Sequence, residues 1–131
     1  MKHDTIDYAS LLLRVTLGSM FLAHGLLKFL VFTLPGTAGF FESVGFPGWT
    51  AYIVSPAEVL AGIALILGFQ TRWVALASIP ILLGSLFVHA GNGWVFSNAK
   101  GGWEYPLYLA ATAAAVALLG GGRLAFSKSA Q

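Results

Sequence analysis

The sequence predicts an all-α protein: a membrane-embedded antiparallel four-helix bundle with its N and C termini cytoplasmic. Hydrophobic residues make up 57% of the chain and charged residues 9%, whereas soluble domains carry roughly 25% charged residues. Four apolar runs have close to the 20 or so residues that a helix needs to cross a bilayer. Because these runs are continuous and do not alternate between apolar and polar residues, they favour helices over the strands of a barrel.

The four helices are predicted over residues 8–34, 50–69, 72–91 and 104–120, within a single domain that spans residues 1–131. Proline and glycine residues separate them. Only two residues lie between the second and third helices, so these two form an antiparallel pair. The first run follows a lysine, as in a signal peptide, but an arginine interrupts it and no small-residue cleavage site follows. We therefore expect a retained transmembrane helix.

Lysine and arginine residues in the short loops predict the orientation, because cytoplasmic loops carry an excess of them. One side of the membrane would hold four such residues: Lys2, Arg72, Arg123 and Lys128. The opposite side would hold Lys100. The first side is therefore predicted to be cytoplasmic, and the two long connections are predicted to lie outside.

Aromatic residues cluster near the outer ends of the predicted helices, where an aromatic belt at the level of the lipid headgroups is expected. They are Trp49, Tyr52, Trp94, Trp103 and Tyr105. In the first long connection, Phe40 and Phe41 predict a short helix that lies at the membrane surface or covers the mouth of a pocket.

Ionisable side chains in lipid need partners, so their positions around each helix matter. At about 100° per residue, every predicted helix carries one small, polar face. These faces comprise Arg14, Gly18, Phe21, Gly25 and Lys28 on the first helix, Ser55, Glu58 and Gly62 on the second, Ser78, Ser85 and His89 on the third, and Glu104, Tyr108 and Thr112 on the fourth. Close packing of helices explains the glycines, but it does not explain a glutamate or a histidine.

Depth in the membrane is predicted to bring three ionisable residues together, one of which, His24, flanks the polar face of the first helix. His24, Glu58 and His89 are predicted to form a buried polar set in the outer half of the bundle. A carboxylate in the middle of a membrane helix is functional by default. Two cations have alternative predictions: Lys28 extends to the headgroups or reaches this set, and Arg14 extends to the inner surface or pairs with Glu58.

The same residues carry a family resemblance. The order R-x-x-x-G-x-x-F-x-x-H-G-x-x-K, from Arg14 to Lys28, resembles the first helix of the DoxX family. The stretches FFESVGFP at 40–47, AEVLAGIALILGFQTR at 57–72 and GGWEYPL at 101–107 continue the resemblance over nearly the whole chain. The resemblance implies a small multi-pass protein of the inner membrane.

The resemblance also implies a set of site residues and a chemistry. The recurring polar positions of the family correspond to His24, Glu58 and His89, which we expect to be catalytic. They also include four residues that we expect to bind the ligand: Arg14, Lys28, Trp103 and Glu104. The family takes its name from a membrane component linked to thiosulfate oxidation with quinone as electron acceptor, and some relatives are associated with oxidative stress, thiol defence or resistance to catechols and quinones. Because this chain has no cysteine, a direct thiol mechanism does not carry over.

The resulting functional hypothesis is a subunit of a membrane redox or stress-defence module. It would bind a quinone, or another small aromatic or anionic molecule, in a polar pocket in the outer half. A histidine would hydrogen-bond a quinone carbonyl and exchange a proton, Glu58 or Glu104 would relay a second proton, and Trp103 and Tyr105 would pack on the ring. No flavin, haem or nicotinamide motif is present, so a redox partner protein would have to supply electrons.

Three other functions fit the same residues, and whether the chain catalyses a reaction is left open. A small-solute transporter or channel would also place charges inside the membrane. It would require a homo-oligomer, and an exposed Gly/Ala face on the fourth helix is a weak indication of one. A metal site would use His24, Glu58, His89 and Glu104, but no local ligand motif supports it. A structural assembly partner without catalysis would use these residues only as pairs. A net charge of +2 without a basic cluster argues against nucleic acid as a partner.

Overall fold

A computed structural model of the protein describes residues 2–94, 97 and 102–126, and these residues form helices and connections without a strand. The helices of this described part are α1 (Lys2–Leu30), α2 (Leu34–Ser43), α3 (Ala51–Leu67), α4 (Thr71–His89) and α5 (Glu104–Leu119). Short 3-10 turns precede α3 at Gly48–Thr50 and follow α4 at Ala90–Asn92. The all-α prediction is confirmed for this part of the chain.

Three of the described helical segments are long and apolar enough to cross a membrane: Asp4–Leu30, Gly48–Leu67 and Thr71–Asn92. The fourth predicted span, α5, has 16 residues, which corresponds to about 24 Å and is shorter than a hydrocarbon core of roughly 30 Å. Large apolar side chains on α1, α3, α4 and α5 are exposed, among them Leu30, Leu60, Phe87 and Leu118. An exposed apolar surface of this extent suits contact with lipid.

The first predicted helix, residues 8–34, ends four residues earlier in the structure, at Leu30, and α2 begins at Leu34. The backbone of Thr33 has a positive φ of 64° and its Oγ1 accepts a hydrogen bond from the backbone N–H of Gly36 at 3.2 Å. Pro35 lies in the first turn of α2, where its missing N–H costs nothing. Apolar periodicity does not reveal this break, because α2 is as apolar as the end of α1. The predicted short helix at Phe40 and Phe41 is part of α2.

The closest packing in the molecule joins α1 to α3, and a second close pair is formed by α4 and α5. In the first pair, Gly18 lies against Gly62 and Gly25 against Glu58 and Val59, so the two helices are antiparallel. A Cβ atom on Gly62 would lie 2.6 Å from the backbone nitrogen of Leu22. The two backbones therefore touch, which small residues permit between membrane helices.

The core lies where α1, α3, α4 and α5 meet. Its buried members are mostly apolar: Leu17, Phe21, Leu65, Ala75, Leu82, Leu109, Ala110, Ala113 and Val116. The alanine run of α5 thus contributes Ala110 and Ala113 to the interior, which leaves less of it for self-association.

The polar stripe predicted on α5 does not form the packed face of that helix. Tyr108, in the middle of that stripe, is 66% exposed, and the buried side of α5 is formed by residues such as Leu109 and Val116. The alanine-rich sequence has small residues on every side of the helix, so the spacing of the polar residues did not identify the packed face.

Replacing Gly62 by alanine should destabilise the fold, because the new methyl group would overlap the backbone of α1. Overpacking of this kind costs about 1–3 kcal/mol. Thermal unfolding in detergent, followed by circular dichroism, measures the effect. Gly84→Ala is the matched control, since Gly84 lies in a helix and a Cβ there has no neighbour within 4 Å; equal unfolding temperatures for both variants would contradict the packing described here.

Candidate functional site

A buried ion pair joins the end of α1 to α3. The ammonium nitrogen of Lys28 lies 2.8 Å from Oε1 of Glu58, and their side chains are 20% and 7% exposed. The contact between Gly25 and Glu58 fixes the relative position of the helices, and Lys28 comes one turn later on the same side of α1. Of the two positions predicted for Lys28, the structure shows the one inside the bundle. A buried carboxylate without such a partner would be strongly destabilising.

A buried serine, Ser55, lies on α3 one turn before Glu58. Because α1 and α3 are antiparallel and Gly25 faces Glu58 and Val59, the residue of α3 level with Lys28 is Ser55. Ser55 is completely buried, and its Oγ has no hydrogen-bond partner within the described part of the chain. The sequence analysis placed Ser55 on the polar face of α3 but gave it no role. Its position opposite a lysine can be recognised only when the helix register is known.

His24 lies one turn before Lys28 and, contrary to the prediction of a buried set, it is exposed. Its Nδ1 lies 2.8 Å from the carbonyl oxygen of Met20. Since a carbonyl only accepts hydrogen bonds, Nδ1 carries the proton, and Nε2 of the neutral ring is left as an acceptor. The ring lies outside the packed face of α1: Phe21 and Gly25 on that face are buried, whereas His24 beside them is not covered by the described helices.

His89 occupies the last turn of α4 and is half-buried. Its Nδ1 lies 2.8 Å from the carbonyl oxygen of Ser85, so this ring has the same tautomer as His24. Among the described residues, no hydrogen bond or ion pair connects either histidine to Glu58. The structure therefore brings Lys28 to Glu58 and leaves the two imidazoles with accessible Nε2 atoms.

Arg14 is buried at the opposite end of α1. Its guanidinium donates to four backbone carbonyls: Leu65 at 3.0 Å, Ile66 at 2.7 Å, Gly121 at 2.7 Å and Arg123 at 2.7 Å. Neither predicted position, the inner surface or a pair with Glu58, is observed. Arg14 is about 21 Å along the helix from Lys28, so it is not part of the same site. It holds the chain that follows α5 against the end of α3.

The segment after α5 is a structural element that the sequence analysis missed. Arg123 donates its backbone N–H to the carbonyl of Asp7 at 3.2 Å, and its Nη2 lies 2.8 Å from Oδ1 of Asp4. The backbone N–H of Phe126 donates to the carbonyl of Leu67 at 2.9 Å. Three consecutive glycines after α5 were the available signal, because they permit the chain to reverse. Two charges used to predict the orientation, Lys100 and Lys128, lie outside the described residues.

Trp103 and Glu104 lie where the chain enters α5. Trp103 donates its backbone N–H to the carbonyl of Gly93 at 3.1 Å, and its ring contacts that of Trp94 edge-on, with centroids 4.4 Å apart. Glu104 is the first residue of α5, where the helix dipole favours a carboxylate. These contacts connect the start of α5 to the end of α4. They place both residues at the same end of the molecule as His89.

Metal binding and the predicted polar pocket gain no support from the geometry. Among the described residues, no group of three or more histidine, aspartate or glutamate side chains is placed to hold a metal ion. A groove of about 350 Å³ lies between α3 and α4, and it is almost entirely apolar. Its lining includes Ala57, Ala61 and Ser78, and neither Lys28 nor Glu58 belongs to it.

Comparison with known proteins shows a family and two similar proteins. A family model described as DoxX matches residues 9–91. The chain is 32% identical over 107 residues to a Bacillus subtilis (strain 168) protein named "Putative oxidoreductase CatD", covering 82% of this chain and 77% of that protein. It is 35% identical over 97 residues to an uncharacterized protein of Haemophilus influenzae (strain ATCC 51907 / DSM 11121 / KW20 / Rd), covering 72% and 70%. No solved structure matches the chain.

Removing one partner of the buried ion pair should cost more than removing both. Lys28→Met leaves the Glu58 carboxylate without its counter-ion, and we expect a loss of roughly 3 kcal/mol in the free energy of unfolding. The double variant Lys28→Met/Glu58→Gln should recover a large part of that loss. Unfolding of the single and double variants in mixed micelles measures the coupling, and strictly additive losses would contradict a direct pair.

Replacing Arg14 by lysine should destabilise the protein although the charge is kept. One ammonium cannot reproduce the planar fork that satisfies four carbonyls, and we expect a loss of at least about 2 kcal/mol. Asp4→Asn, which breaks the more exposed Asp4–Arg123 pair, should cost less than about 1 kcal/mol. Limited proteolysis should detect release of the C-terminal segment in Arg14→Lys. A variant with wild-type stability and protection would refute the structural role.

Proposed function

Because the chain belongs to the DoxX family, we propose that it is a multi-pass inner-membrane subunit of a redox module and binds a quinone or similar small aromatic molecule beside the Lys28–Glu58 ion pair. In this proposal the long helices form a membrane-embedded four-helix bundle. The end that carries Arg14 and Arg123 faces the cytoplasm, together with both termini. The ion pair and His24 then lie in the outer half.

The observation that carries this proposal is the burial of an ion pair in helices whose outer surfaces are apolar. Transferring two charges out of water costs free energy that their attraction often does not recover. The glycine contacts between α1 and α3 already hold these helices together, so the pair is not needed for their packing. Ionisable residues in this setting mark a ligand or proton pathway more often than a purely structural contact.

The side chains at this end of α1 suit the chemistry of a bound quinone, which would supply two-electron redox chemistry when present. Lys28 keeps N–H donors beyond the one directed at Glu58, and these suit a carbonyl oxygen. Nε2 of His24 can accept a proton from a bound ligand or return one to it. Glu58 orients the ammonium and accepts a hydrogen bond from an O–H group.

Electrons would come from a partner protein, since the chain has neither cysteine nor a motif for a redox cofactor. The similarity to the protein named as an oxidoreductase supports a redox role for this chain. His89, Trp103 and Glu104 remain candidate contributors, because they lie at the same end of the bundle as His24. Arg14 is omitted from the proposed ligand site, because its donors are directed at backbone carbonyls.

Quinone binding tests the proposal directly. Protein purified in mild detergent should retain a lipophilic quinone that organic extraction and mass spectrometry detect, and it should bind an added short-chain naphthoquinone. His24→Ala should weaken this binding by roughly tenfold, as expected for the loss of one well-placed polar contact. Because His24 is exposed, this variant should fold normally.

The matched control is Asp4→Asn, which removes a charge at the opposite end of α1 and should leave quinone affinity unchanged. Absence of quinone from the extract, together with no binding of the added compound to wild-type protein, would refute the proposal. Equal losses of affinity in His24→Ala and Asp4→Asn would show that the effect is not local to this site, and this result would also count against the proposal.

A further inference from the structure

Ser55 is an anomaly among the buried serines. Ser10 donates its hydroxyl to the carbonyl of Ile6 at 2.9 Å, and Ser78 donates to that of Ala75 at 2.7 Å. Serines in helices commonly satisfy their hydroxyls in this way. Ser55 is as deeply buried as either, yet its Oγ has no partner in the described part of the chain. A buried hydroxyl without a partner is costly, so its presence points to a group that the described part of the chain does not provide.

The helix register places this hydroxyl at the ion pair. Gly18 faces Gly62, and Gly25 faces Glu58 and Val59. Continuing this antiparallel register by one turn brings Lys28 level with Ser55. Ser55 and Glu58 are also three residues apart on α3, which makes them neighbours on its surface. An ammonium, a carboxylate and an unpaired hydroxyl therefore lie within about one helical turn of each other along the α1–α3 pair.

The donors and acceptors of these groups define the ligand that fits them. Lys28 only donates, the Glu58 carboxylate only accepts, and Ser55 does both. The charges of the pair cancel, so the site has no net charge to favour an anion. A molecule with an oxygen acceptor and an O–H donor satisfies all three groups. An oxidised quinone has acceptors alone, so it offers the carboxylate no donor beyond the ammonium of Lys28.

We infer that Ser55 is a third ligand-contacting residue and that the site favours the hydroxyl-bearing reduced form, a hydroquinone, over the corresponding quinone. This inference rests on the proposed function and makes it more specific. It concerns binding alone: the hydroquinone O–H donates to Glu58, while its oxygens accept from Lys28 and Ser55. The preference for the hydroquinone then depends on the single hydroxyl of Ser55. A substitution can remove this hydroxyl without changing a charge.

The test compares three compounds with three proteins. Full-length wild-type protein, Ser55→Ala and Ser78→Ala are titrated in detergent, without oxygen, with a naphthoquinone, its hydroquinone and the dimethyl ether of that hydroquinone. Wild-type protein should bind the hydroquinone roughly tenfold more tightly than the other two compounds. Ser55→Ala should lose about five- to tenfold in hydroquinone affinity, as for one hydrogen bond. Ser78→Ala should bind as the wild type does.

Thermal unfolding of the unliganded variants separates binding from structure. Ser55→Ala removes a hydroxyl that lacks a partner, so it should unfold at the wild-type temperature or higher. Equal affinity of wild-type protein for quinone and hydroquinone would overturn the inference while leaving the proposed function intact, and so would unchanged hydroquinone affinity in Ser55→Ala. A lowered unfolding temperature of unliganded Ser55→Ala would show a structural hydroxyl and overturn it too. If none of the compounds binds wild-type protein, the proposed function fails and the inference fails with it.

Discussion

The close contact between α1 and α3 is the constraint on which the rest of the structure depends. Gly18, Gly25 and Gly62 bring the two backbones together, and a side chain on Gly62 would have no room. This contact fixes the register of the pair. The register directs Lys28 to Glu58 at one end and brings Arg14 to the last turn of α3 at the other. A shift of one turn would leave both cations without these partners in an apolar surrounding, where each would be costly.

The two cations of α1 are used differently because their head groups differ. The guanidinium of Arg14 is a rigid fork that donates to four backbone carbonyls. These hydrogen bonds join α1 to α3 and to the C-terminal segment. The ammonium of Lys28 is compact and has three donors, of which the Glu58 pair needs one. At the Arg14 end of the α1–α3 pair, the hydrogen bonds of the guanidinium therefore have a structural role. The other end retains hydrogen-bonding capacity, because the ammonium of Lys28 has donors that Glu58 does not use and the Oγ of Ser55 has no partner among the described residues.

Sequence reasoning predicted the helical class and the packed face of α1, because both follow from composition and periodicity. It did not predict which residue pairs with which: whether Lys28 meets Glu58 depends on a register that distant glycines set. Arg14 was misassigned for a related reason, since two of its four carbonyl partners, those of Gly121 and Arg123, belong to a segment whose sequence has no helical or apolar signal. The exposure of His24 follows from its position beside the packed face of α1, because periodicity gives the angle of a residue around the helix but not how far the neighbouring helices extend over it.

An apolar pair in place of Lys28 and Glu58 would leave the α1–α3 contact intact. The ion pair therefore contributes little to helix association, and its desolvation costs free energy. Its effect is to hold an ammonium and a carboxylate in fixed positions one helical turn from the imidazole of His24. The spacing of His24 and Lys28 by four residues thus connects a buried charge to the surface along a single face of one helix.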